Sequence, residues 1–96
     1  MNLTHEKDMT TTRREFYRNL AVALRGQDYE TRNDVTTIGS GEQNIKIAIS
    51  PLPPRTLSPL MALERWQVKF DFHGYTDDEK SAFLAHFDKA FQRGGG

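Results

Sequence analysis

The sequence contains no cysteine, which excludes a disulfide staple and any thiolate metal site. It has no excess charge of either sign: 13 Lys and Arg stand against 13 Asp and Glu. The signs are interspersed, with no block of like charge. That balance weighs against general nucleic-acid or membrane-surface binding, which runs on a basic excess. No apolar run approaches the roughly 20 residues of a transmembrane helix. The first dozen residues hold no apolar segment of the signal-peptide kind. A soluble cytoplasmic protein without membrane contact is the expectation. A Walker loop, a Rossmann glycine fingerprint, HExxH and GxSxG are all missing. The sequence therefore predicts no enzyme, no cofactor and no metal site.

What is present is a small α+β pattern over 96 residues, near the lower end of sizes that fold unaided. Every Phe and Trp except Phe16 lies within 65–93. There Trp66, Val68, Phe70 and Phe72 alternate with Gln67, Lys69, Asp71 and His73, the period of a strand with one buried face. Gly74 and Tyr75 turn the chain. Thr76 and Glu79 then form a capping box, and Asp77 and Asp78 place negative charge at the positive end of the helix dipole. A helix over 77–92 follows, with Phe83, Leu84, Phe87, Ala90 and Phe91 on one stripe.

Upstream, residues 1–11 show no hydrophobic period and read as a disordered arm. Thr12 and Glu15 form a second capping box, and a helix over 13–25 carries Phe16, Tyr17, Leu20, Ala23 and Leu24 on one stripe. Gly26 stands where a left-handed cap is wanted. Residues 29–32 can form a short extra strand turning at Asn33-Asp34. Val35-Thr36-Thr37-Ile38 is β-branched throughout. Gly39-Ser40-Gly41-Glu42 is turn material. Residues 44–50 alternate again, with Ile45, Ile47 and Ile49 on one face. Pro51-Leu52-Pro53-Pro54 is expected to end that strand. Residues 55–63 are too apolar for a free linker and are expected to pack along a sheet edge.

These elements predict a single α+β domain over 12–93 of order αβββα. Its form is a two-layer sandwich: a three-stranded antiparallel meander, with the short fourth strand near 29–32, and both helices on one face. Ile45, Ile47, Ile49, Trp66, Val68, Phe70 and Phe72 would meet Phe16, Leu20, Leu24, Phe83, Phe87 and Phe91. Lys46, Gln67, Lys69, Asp71 and His73 would face solvent. Gly94, Gly95 and Gly96 form a flexible tail.

The element order is similar to that of double-stranded-RNA-binding domains. In that family the second helix opens with lysines that grip phosphate; here Thr76-Asp77-Asp78-Glu79-Lys80 would repel it. Arg14, Arg18 and Arg25 fall within about 40° of one another on a helical wheel, opposite the apolar stripe. They form either a solvated face or a contact for an acidic partner, a phosphate or nucleic acid. Asp71 and His73 share a strand face, where a carboxylate can orient an imidazole, but no nucleophile or third ligand can be placed beside them. Pro51-Leu52-Pro53-Pro54-Arg55 resembles a polyproline ligand, with a rigid connector as the simpler reading. The Arg93-Gly94-Gly95-Gly96 end resembles the tails of ubiquitin-like sulfur carriers and modifiers, although here it follows a helix. The leading expectation is a non-catalytic module that binds another protein or its own copy, through residues 57–63 or an open sheet edge. The alternatives are anion or nucleic-acid binding through Arg14, Arg18 and Arg25, and a carrier using the terminal glycines.

Overall fold

The computed structural model describes residues 2–94. The elements are β1 (Asn2–Thr10), α1 (Arg13–Ala23), β2 (Tyr29–Arg32), β3 (Val35–Ile38), β4 (Asn44–Ser58), β5 (Met61–His73) and α2 (Asp77–Gly94). The strands form one antiparallel sheet in the order β1-β5-β4-β3-β2. The class is α+β, but the order is βαββββα rather than αβββα. The similarity in element order to double-stranded-RNA-binding domains goes with it.

Two segments account for the difference. Residues 2–10, expected to be disordered, form β1 and pair with β5 from Asn2 opposite His73 to Thr10 opposite Arg65. Their inward positions are Leu3, His5, Lys7 and Met9, opposite the core residues Phe72, Phe70, Val68 and Trp66. Two of these four are polar, so the alternation does not register as hydrophobic. Lys7 is accommodated because its ammonium pairs with Asp88 of α2 and lies 5.6 Å from the Phe87 ring centroid, a cation over an aromatic face. His5 packs beside Phe70, with ring centroids 5.8 Å apart.

The second segment is 51–64. The prolines do not end β4; it continues to Ser58 opposite the start of β5. Register shifts lie between Leu52 and Arg55 and between Thr56 and Ser58. Pairing with β3 ends at Ala48, and pairing with β1 ends at Arg65. Beyond these points the ribbon is two-stranded with both outer edges open, and a proline facing an open edge costs no ladder bond. The expected packing along a sheet edge is replaced by a projecting hairpin about 25 Å long at the usual strand rise. The molecule accordingly measures 48 Å in one direction and 25 and 23 Å in the others.

Both helices cover one face of the sheet. Phe16, Leu20 and Leu24 of the first helical segment and Phe87 and Phe91 of α2 join Ile38, Ile45, Ile47, Ile49, Trp66, Val68, Phe70 and Phe72 in one buried cluster, with Phe83 partly buried against it. Burying each such side chain stabilises the fold by roughly 1.5–3 kcal/mol before ordering entropy is subtracted. Lys46, Lys69, Asp71 and His73 are exposed on the opposite face, and Gln67 is half-buried there.

The local signals act as their chemistry requires. Thr12 Oγ1 accepts from the Glu15 amide at 3.0 Å. The second box is reciprocal: Thr76 Oγ1 accepts from the Glu79 amide at 3.1 Å, and Glu79 accepts from the Thr76 amide at 3.0 Å. α1 stops at Ala23, two residues short of expectation, and Gly26 turns away with φ +84°. The β2–β3 turn places Asn33 and Asp34 at φ +52° and +63°, the left-handed geometry that suits a two-residue hairpin. Asp34 then anchors α1: its carboxylate accepts from Arg13 at 2.7 and 2.9 Å and from the Tyr17 hydroxyl at 2.9 Å.

Candidate functional site

The projecting hairpin is the feature that core packing does not explain. Its end presents Leu57, Leu60, Met61 and Leu63 with 52, 99, 56 and 38 % of their surface exposed. Leu60 stands at the turn between β4 and β5. On β5, Met61 and Leu63 fall on the same side as Arg65 by strand alternation. An isolated two-stranded ribbon is marginal in water, and the large apolar side chains at the tip of this one are left exposed. Its base is tied to the body. Arg65 pairs with Asp8 of β1 and donates to the Pro53 carbonyl at 3.3 Å. Glu64 accepts from the Trp66 indole at 2.8 Å and from the Arg13 amide at 3.1 Å. The hairpin is thus rooted in polar contacts and apolar at its end. Between 51 and 64 the only charged side chains are Arg55 and Glu64, so the arm is close to neutral.

Arg14, Arg18 and Arg25 are all exposed. Among the described residues none of them has an acidic partner; the ion pairs present join Lys7 to Asp88, Arg13 to Asp34, Arg32 to Glu30 and Arg65 to Asp8. The three arginines do not share one site. Arg14 and Arg18 lie on α1, whereas Arg25 lies beyond its end and lines a cleft between the helices with Val22, His86, Lys89 and Ala90. The sequence contains no periodic signal that joins Arg25 to Lys89.

Asp71 and His73 line a shallow polar cavity of about 360 Å³ with Asn2 and Lys46. His73 Nδ1 lies 2.7 Å from Asn2 Oδ1, a carbonyl oxygen that accepts. Asp71 stands opposite Lys46 and Thr4 in the ladder. The imidazole is therefore oriented by Asn2. His86 Nε2 donates to the Ala23 carbonyl at 2.8 Å, closing the end of α1. Among the described residues no three His, Asp or Glu side chains converge on one point as metal ligands, and no helix is long and apolar enough to cross a membrane.

Three ionisation shifts arise from structural contacts. Burial, then the bond to Asp34, pushes the Tyr17 phenol up to about 12. The bond from Arg13 holds the Asp34 carboxyl below its usual range. Backbone donation from Thr76 does the same for Glu79. Of the carrier reading, Gly94 is the last residue of α2, and Gly95 and Gly96 lie outside the described residues. No protein-family model matches the chain, and no curated protein sequence matches it.

Proposed function

We propose that this chain is a non-catalytic interaction module that docks its projecting hairpin into an apolar groove of a different protein. The observation that carries the reading is the near-complete exposure of Leu60 at the hairpin end, flanked by exposed Leu57, Met61 and Leu63. Four exposed large apolar side chains within seven residues of one hairpin end are the kind of surface that marks interaction sites. Among the described residues the other large exposed apolar side chains are Val22 and Tyr29. They lie on separate elements, α1 and β2, which argues for a different protein over a second copy. The arm's charges cancel, so the partner groove is expected to be apolar and the association to resist salt.

The test compares the wild type with two variants. One replaces Leu57, Leu60, Met61 and Leu63 with Ser; the other replaces Arg14, Arg18 and Arg25 with Ala. Both serve as bait at about 0.1 and about 0.5 M salt, where the screening length falls from about 10 Å to about 4 Å, and the purified protein is sedimented alone. A specific protein lost only with the hairpin variant, at either salt, supports the proposal. A wild-type dimer that the hairpin variant abolishes would make the occupant a second copy. Capture lost with the arginine variant would move the function to the helix face.

A further inference from the structure

The cleft between the ends of the two helices holds a second feature, independent of the hairpin. It has a volume of about 340 Å³ and is lined by Val22, Arg25, His86, Lys89 and Ala90. Arg25 follows the C-terminus of α1, and His86 and Lys89 lie one turn apart on α2. Cations at a helix C-terminus are ordinarily explained by its exposed carbonyls and its negative pole. Here most of those carbonyls already have partners within the chain. Leu20 O accepts from the Leu24 amide at 2.9 Å, Val22 O from the Arg25 amide at 3.3 Å and Leu24 O from the Gln27 amide at 3.0 Å. Ala23 O accepts from His86 Nε2. Among the described residues, the guanidinium of Arg25 and the ammonium of Lys89 make neither an ion pair nor a hydrogen bond. Two cations, one from the loop after α1 and one from α2, thus border one cleft with their donors unspent, beside two aliphatic side chains.

We propose that this cleft binds a small oxyanion carried on an apolar group, with Arg25 and Lys89 holding the anion and Val22 and Ala90 contacting the apolar part. A planar guanidinium supplies paired donors to an oxyanion, and an ammonium adds a point charge. The volume lies at the small end of ligand sites, which suits a ring-sized ester or acid. Bound anion would also relieve the mutual repulsion of the two cations. His86 is a positioning residue: its bond to Ala23 O fixes the end of α1 against α2.

The experiment titrates isotope-labelled protein with phenyl phosphate, benzoate and inorganic phosphate at constant ionic strength, following backbone amide shifts. Shifts confined to 22–26 and 86–90 are expected, with phenyl phosphate binding several-fold more tightly than inorganic phosphate. Comparison with benzoate separates a phosphate site from a carboxylate site. Arg25→Gln and Lys89→Gln should each weaken binding at least five-fold, while Arg14→Gln should leave it unchanged. All three positions are exposed, so the variants should keep the wild-type spectrum elsewhere. Shifts spread over every cationic surface, or equal weakening by Arg14→Gln, would overturn the site. So would binding indifferent to Arg25→Gln and Lys89→Gln.

Discussion

Gly74→Ala is the substitution whose cost the structure fixes most sharply. Gly74 follows β5 and has φ +76°. A Cβ built there would lie 2.0 Å from the Glu42 carbonyl oxygen, 3.0 Å from its carbon and 3.2 Å from Gln43 Cα. All three atoms are backbone, so no side chain can swing aside. Gly41 supplies the control: its φ is +78°, and a Cβ at that position would meet nothing within 4 Å. Both substitutions place an L-residue in the left-handed region, at roughly 1–2 kcal/mol. Only Gly74→Ala adds overpacking, at roughly 1–3 kcal/mol or more. It also pushes on the 42–43 turn, from which Gln43 donates to Glu79 of α2 at 3.1 Å. Gly74→Ala should therefore cost about 2–5 kcal/mol and Gly41→Ala about 1–2 kcal/mol. Urea unfolding of the two variants, read at equal m-values, gives the difference directly. Equal losses would refute the close approach of the two turns.

Three further outcomes follow from the packing. Lys7→Ala removes the ion pair with Asp88 and the contact over Phe87, and should cost about 1–2 kcal/mol; amide exchange should quicken along β1 more than along β3, and uniform quickening would contradict a locally held strand. Tyr17 has a folded-state pKa raised to about 12, so its contribution is full below the ordinary tyrosine value near 10 and fades as pH rises through the folded value. Because the ring is only half-buried, the loss should be about 1 kcal/mol between pH 10 and 12, and Tyr17→Phe should flatten that part of the stability profile. The Asp34 carboxyl is held low by Arg13, so its contribution is present above its unfolded value and fades as pH falls through the folded one; Asp34→Asn should shrink the loss of stability below about pH 4 and leave the part due to Glu79.

The core was legible because its residues repeat at the period of their element. Ile45, Ile47 and Ile49 meet Phe72, Phe70 and Val68 in register, as their alternation requires. Both capping boxes and the Asn33-Asp34 turn are local chemistry and could be read within a few residues. β1 was not legible, because half its inward positions are His5 and Lys7, and what makes a lysine acceptable there is Asp88, 81 positions away. The hairpin failed for a different reason. Proline forbids a ladder bond only on a paired edge, and whether an edge is paired is a property of the whole sheet. Of the candidate site, the apolar content of 57–63 was visible and its projection was not. The arginine stripe was visible as a wheel, but the helix ends before Arg25, and the neighbours of Arg25 come from α2.

If the hairpin docks into a partner, residue 60 lies in the contact. The most direct test places a photo-crosslinking amino acid at position 60 in the cell, with position 69 on the exposed sheet face as the control. A discrete adduct with a different protein at position 60, absent at position 69 and lost when Leu57, Met61 and Leu63 are changed to Ser, is the expected result. No adduct at position 60, or the same adducts at both positions, would contradict docking through the hairpin.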